Sequence, residues 1–472
     1  MLRTGLRISC LLMCASALAV FPPAALSQSM PGMNMPGKQE KPAQDKSQGK
    51  SQDKSKDQKP DSMAGMEMPE HSHGSTFAEH AHFSSGTGWQ PIDAAENMWM
   101  WQPNGWDVML HANLFVTSNN QGGPRGVSKL ESMSMAMLME QKKFGRSLLL
   151  FREMFSGDAL TVPHPGFPEL FQTGETYRGR PLFDHQHPHD VFSELSALYQ
   201  FSFTDRASWF AYAGPAAEPA LGPVAFVHRA SAAELPLAPL GHHLQDSTHI
   251  SYGVVTSGFT LGNTKDFHGT MLKLEASAFN GREPDEHRAT IDLGSLDSWS
   301  FRAGLNLGNR WSGQYSVGHL VHPEALEPGD VLRQTASIAY SRLIPNGHWC
   351  TTLVWGRNHK EIERTQQNSY LLESVVNFAR LNYLTTRLEL VDKDELFPPG
   401  PTAHAPVLPP SSRIGAYTFG GVRDLIHNAK LNLGIGANFT TYSKPAVLDT
   451  IYGKHPVSWE VFVRIRPGSM AH

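Results

Sequence analysis

The stretch Lys430-Leu-Asn-Leu-Gly-Ile-Gly-Ala-Asn-Phe439 ("KLNLGIGANF") decides the fold. Leu431, Leu433, Ile435, Ala437 and Phe439 take alternate positions, with Lys430, Asn432 and Asn438 between them. Successive side chains of an extended strand point to opposite faces, so this pattern predicts one apolar and one polar face. The same period recurs upstream. In "KLEASA", Leu272, Leu274 and Ala276 oppose Lys273, Glu275 and Ser277. In "LTTRLEL", Leu384, Leu388 and Leu390 oppose Thr385, Arg387 and Glu389. "SFRAGLNLG" sets Phe301, Ala303, Leu305 and Leu307 against Arg302 and Asn306. "VSWEVFVRIRP" sets Trp459, Val461, Val463 and Ile465 against Glu460, Phe462, Arg464 and Arg466.

From Trp106 onward such segments run roughly 9–14 residues, longer than the usual strands of soluble sheets and suited to a tilted crossing of a bilayer. About sixteen are present, an even number as expected of an outer-membrane barrel. Trp209-Phe210, Trp299, Trp311, Tyr383 and Trp459 lie near strand ends, where interfacial girdles sit. Short links such as Ile344-Pro-Asn-Gly347 alternate with long ones at 156–188, 214–245 and 396–411. The fold class predicted is therefore all-β: a transmembrane antiparallel β-barrel over 106–467, with a soluble all-β protein as the rival. The polar faces carry Lys273, Glu275, Arg302, Arg387, Glu389, Lys430 and Arg464, which predicts a charged, wet lumen. A tail, 468–472, trails the last strand, where barrels of this kind usually end on an aromatic residue.

The N-terminus has a different character. Arg3 and Arg7 precede the apolar run Ile8 to Phe21, which ends at Ala25-Leu26-Ser27, and this predicts a secretory signal over 1–27. Export to the outer membrane of a Gram-negative bacterium follows from leader and barrel together. No later run is long and apolar enough for a membrane-spanning helix. Cys10 and Cys14 fall in the leader, so the mature chain keeps Cys350 alone, excluding an internal disulfide or a thiolate zinc site. The formal net charge of −4 gives no basic footprint for nucleic acid. Residues 28–88 are rich in Lys, Asp, Gln, Ser, Pro and Gly and poor in aliphatics, which predicts a disordered arm. Residues 89–105 are a linker or periplasmic lead-in.

The arm contains a repeat. Ser29-Met-Pro-Gly-Met-Asn-Met-Pro36 returns as Ser62-Met-Ala-Gly-Met-Glu-Met-Pro69, identical at six of eight positions, and His71, His73, His80 and His82 follow. Thioether sulfur is a soft ligand that selects Cu(I), and imidazole extends the set to Cu(II). Met30, Met33, Met35, Met63, Met66 and Met68, with those four histidines, are thus candidate metal ligands; a low-complexity tail is the bland alternative.

The leader, the Met/His-rich arm and the following barrel resemble bacterial outer-membrane copper-resistance proteins, in layout and in the two Met motifs. That resemblance implies copper handling at the periplasm and outer membrane, by sequestration or assisted passage, with outer-membrane lipid, metal ions and periplasmic copper proteins as partners.

A second methionine run, "ESMSMAMLME", puts Met133, Met135, Met137 and Met139 on one strand face. They either line the lumen or, as the favoured reading, face lipid as ordinary apolar side chains. Two histidine clusters close long loops. "LFDHQHPHD" supplies Asp184, His185, His187, His189 and Asp190; "GHHLQDSTH" supplies His242, His243, Asp246 and His249. An extended backbone would point His185, His187 and His189 the same way, and Pro188 keeps the motif out of a central ladder. The two clusters are candidates for one shared site, with His228 and His268 in reserve. The readings are a hydrogen-bonded network fixing the loops, a site for Zn(II), Cu(II) or Ni(II), or catalysis. No GxSxG, HExxH or P-loop pattern occurs, so no catalytic residue is assigned and an enzyme is the minority reading. The function predicted is handling of copper or another soft metal, the arm capturing ions and the barrel anchoring or conducting. A general porin-like channel with an incidental tail is the alternative, and an outer-membrane enzyme using the His/Asp clusters the second.

Overall fold

The computed structural model describes residues 83–245, 251–263, 269–394, 396 and 411–468. Sixteen antiparallel strands close into a barrel. They are β1 (Asp107–Gln121), β2 (Ser128–Phe144), β3 (Ser147–Phe155), β4 (Phe192–Thr204), β5 (Ala207–Ala216), β6 (Val254–Gly262), β7 (Met271–Phe279) and β8 (Ser298–Leu307). The wall continues through β9 (Trp311–Leu320), β10 (Val331–Ile344), β11 (Gly347–Lys360), β12 (Thr365–Phe378), β13 (Asn382–Lys393), β14 (Ser412–His427), β15 (Leu431–Ser443) and β16 (Val457–Pro467). Each strand pairs with its neighbour in sequence, and β16 closes on β1 from Ser458↔Gln121 to Ile465↔Leu114. Beyond that register a short strand, Met98–Trp101, pairs with the start of β1 (Met98↔His111, Trp101↔Val108) and completes the wall. Closure removes the sheet edges, which a soluble sandwich would retain.

The alternation read from the sequence maps onto the two faces. On β7, Leu272 and Leu274 are exposed and Lys273, Glu275 and Ser277 buried; on β16, Trp459, Val461 and Val463 are exposed and Glu460, Phe462 and Arg464 buried. Charges inside and a continuous apolar outer surface invert the soluble pattern and define a membrane-spanning barrel. Trp99, Trp101, Trp311 and Trp349 project outward near the end with the short turns, and Trp299 and Trp459 near the end with the long loops. Phe210 and Tyr383 depart from the expected girdle: both are buried on the inner face. Lys430 sits exposed in the β14–β15 turn instead of facing the lumen. The methionines of β2 face inward, not toward lipid, with Met135, Met137 and Met139 all buried.

The lumen is charged, as predicted, but it is not an open water-filled bore. Three segments fold into it: the lead-in 83–97, the β3–β4 loop and the β5–β6 loop. Side chains of the wall serve the backbone of these segments. Arg302 donates to Gly222 O at 2.8 Å and to Thr87 Oγ1 at 2.8 Å, while its Nε bonds Glu275 at 2.8 Å. Lys273 donates to Thr87 O and Arg152 to Gly86 O. Ser312 donates to Trp89 O at 3.1 Å, and Arg387 donates to Leu237 O at 2.7 Å. Ion pairs add to these: Arg229 of the β5–β6 loop meets Glu373 at 2.5 Å, and Glu234 meets Arg466 at 2.8 Å and also Arg464. A charge leaves water only when paired and hydrogen-bonded, so these inward charges mark the seats of the inserted segments. Four cavities between wall and plug, among the described residues, hold about 30–50 Å³ each. The boundary drawn at 88/89 falls inside a small hairpin, Phe83–Ser85 with Gly88–Trp89.

Candidate functional site

The β3–β4 loop contains two short antiparallel pairs. Phe167–Pro168 pairs with His185–Gln186, and Glu175–Tyr177 pairs with Arg180–Leu182 around Arg178 and Gly179, both at positive φ as a two-residue hairpin turn requires. The second pair carries Glu175 to the base of the loop. From the β5–β6 loop a helical turn, His242–Gln245, brings two imidazoles to the same place. Gly174, at φ +100°, lets the chain pass His243 in a conformation that side-chain-bearing residues rarely adopt.

His187 of the first histidine cluster and His242 and His243 of the second meet at Glu175. Its Oε1 lies 3.0 Å from His243 Nε2 and 3.6 Å from His187 Nε2, and its Oε2 accepts the backbone N–H of His187 at 2.5 Å. The rings of His242 and His243 stand 4.3 Å apart between centroids. His242 Nδ1 bonds Pro239 O at 2.7 Å, which leaves Nε2 as the nitrogen with an acceptor lone pair. On its other side His243 Nδ1 lies 3.4 Å from Glu283 Oε1. Donor atoms of Glu175, His242 and His243 fall within 4.8 Å of one another, as do those of His243, Glu283 and Glu324.

Burial and the neighbouring carboxylates Glu324 and Glu175 push Glu283 well above the usual carboxylate range. Burial, and Glu327 beside it, push Glu324 up to about 7. Burial, reinforced by Lys393 and Arg333, holds His243 well below its usual range, hence neutral. Imidazole nitrogens and carboxyl oxygens grouped this closely are the donor types found around Zn(II), Cu(II) or Ni(II), and a cation would have to displace the protons that Glu283 and Glu324 hold.

The remaining sequence candidates divide. His187, His242 and His243 come together; Asp184, His185, His189 and Asp190 do not join them. Asp184 pairs with Arg125 and accepts the Phe171 N–H at 2.8 Å. His185 bonds the Phe183 carbonyl at 3.1 Å. His189 meets Asp158 at 2.6 Å, and Asp190 faces Arg288 at 3.6 Å. The three alternating histidines therefore do not point one way, because the extended pairing ends at Gln186 and Pro188 turns the chain. Burial opposes a charge on His189, but the bond to Asp158 outweighs it and raises its affinity for the proton. Burial pushes Asp190 up to about 7 against the pull of Arg288. Asp246, His249 and His268 lie outside the described residues, as do all ten ligand candidates of the arm: Met30, Met33, Met35, Met63, Met66, Met68, His71, His73, His80 and His82. Glu175, Glu283 and Glu324 escaped the sequence reading: Glu175 is a lone carboxylate, Glu283 is one of three acids in Arg282-Glu-Pro-Asp-Glu286, and Glu324 stands three residues before Glu327, with no periodicity to single them out.

Neither a known family model nor a curated protein matches the chain. Among solved structures it is similar to an anion-selective porin from Comamonas acidovorans, at 11% identity and a TM-score of 0.44, over 76% of this chain and 99% of that one. It is also similar to OmpF of Salmonella typhi, in complex with daunomycin, at 8% identity and a TM-score of 0.43, over 78% and 100%. A third is a BenF-like porin from Pseudomonas fluorescens, at 12% identity and a TM-score of 0.38, over 76% and 98%. The barrel itself rests on its own closed ladder of strands.

Proposed function

We propose that the chain is an outer-membrane barrel of the porin-like channel kind that conducts only when its luminal segments move. The observation that carries this reading is the pairing of wall charges with the inserted segments, above all Arg229–Glu373 and Glu234 with Arg464 and Arg466. Remove those segments and the inner wall is charged and sixteen strands wide, the make-up of an aqueous channel. The signal over 1–27 would deliver the chain, and short turns at the periplasmic end would put the arm on that side.

Copper or another soft ion is the cargo suggested by the Met/His arm, and zinc or nickel a ligand for the Glu175 centre; periplasmic copper proteins would be exchange partners. The channel is tested by planar-bilayer conductance. The full-length protein is expected to stay largely closed with brief openings, and the Glu234→Gln/Glu373→Gln variant to open often. A variant that migrates as a folded barrel yet never conducts would overturn the channel reading, and a permanently open parent would remove the gate.

A further inference from the structure

One sector of the inner wall stands apart in its donor chemistry, with methionine and histidine in place of charged or hydrocarbon side chains. There the short strand Met98–Trp101 and strands β1, β2 and β3 present methionine and histidine in a continuous row. Met98 stands opposite His111, His111 opposite Met137, and Met137 opposite Met154. Directly opposed residues share a face with Cβ atoms about 4.5–5.5 Å apart, so the four side chains are lateral neighbours. Met100, Met109 and Met139 form the adjoining row toward the short-turn end. From the plug, His228 closes over them: its Nε2 lies 3.2 Å from Met154 Sδ, and its ring centroid 6.0 Å from that of His111. A cavity of about 40 Å³ is lined by Met98, Met109, His111, Met137, Met139 and His228.

We propose that this sector is a binding site for a soft monovalent cation, Cu(I) or Ag(I), with Met137, Met154 and His228 as its core ligands and Met98 and His111 beside them. Donor softness argues for the ion. Thioethers select Cu(I)-like cations over hard or divalent ones, and a donor set without charge suits an ion of low charge. Geometry agrees: nitrogen and sulfur bonded to one tetrahedral metal at ~2.0 and ~2.3 Å stand about 3.5 Å apart, close to the separation that Met154 and His228 already have. Arg229 and Arg466 reach the cavity but are engaged by Glu373 and Glu234, and Glu96, which accepts from Gln90, stands at its edge. If the wall needed only apolar filling, leucine would serve as well at each of these positions. The site does not depend on the barrel being a channel.

The test uses full-length protein in detergent with the ten arm methionines and histidines replaced by serine, so that only barrel sites remain. Anaerobic titration with Cu(I) against a competing chelator is expected to show one tight ion per barrel. Its X-ray absorption should contain both sulfur and nitrogen scatterers. Met137→Leu/Met154→Leu, close in volume, should weaken binding at least about tenfold, while heat-dependent gel mobility stays that of a folded barrel. His228→Gln is the second variant should the pair fail to fold, and it should remove the nitrogen contribution. No Cu(I) bound by the arm-substituted protein, or unchanged affinity in the leucine variant, would overturn the proposal; unchanged conductance in either case leaves the channel reading as it was.

Discussion

Single residues divide into those that hold the plug and those proposed to hold a cation. Glu373 is fully buried between Arg229 and Arg387 and also accepts from Ser231 at 2.8 Å. Glu373→Ala would strand two buried guanidinium groups, and a loss of ~3–5 kcal/mol is expected, read as a lower temperature for loss of the compact gel form. Glu175→Gln keeps the shape but removes the charge on which His187 and His243 converge. Zn(II) affinity, measured by chelator competition with the arm replaced, should fall by about tenfold or more. The pH dependence of this centre has a defined sign. Glu324 holds its proton up to about 7 against an ordinary 4.5, so its contribution to loop stability is full below about 4.5 and is lost as pH rises through about 7. A bound cation reverses the balance, because it favours the deprotonated form. Zn(II) affinity should therefore climb between pH 6 and 8 with proton release, and a flat profile would remove Glu324 from the site.

At the scale of elements, strand faces govern the response to substitution. Leu274 on β7 faces outward and Lys273 beside it faces inward. Leu274→Arg is expected to cost ~2–4 kcal/mol in lipid, measured by urea titration of folding into vesicles. These faces were legible because a period of two survives any loop arrangement. The β2 methionines were not, since either face of a barrel strand accepts methionine, and only their burial under the plug shows which one it is. The short strand Met98–Trp101 was equally hidden. Four residues carry too little pattern, and the strand exists because β16 ends its ladder on β1 at Leu114 and leaves the start of β1 open.

For the molecule as a whole, the plug is the deciding feature. Excising residues 223–240 in favour of a short glycine linker should raise single-channel conductance without abolishing heat-dependent mobility, because the wall closes through β1–β16 alone. Loss of the folded form instead would make this loop part of the barrel's core. By itself the sequence determined the class of fold, the two-faced alternation of most strands and the presence of two histidine clusters in long loops, since local alternation and composition are properties of neighbouring residues. Only the tertiary structure decided that the lumen is filled, that Glu175 joins His187 to His242 and His243, and that the β2 methionines meet His228. Those outcomes depend on loops of more than thirty residues turning inward rather than outward, and the charges that hold them there look the same in sequence as charges facing water.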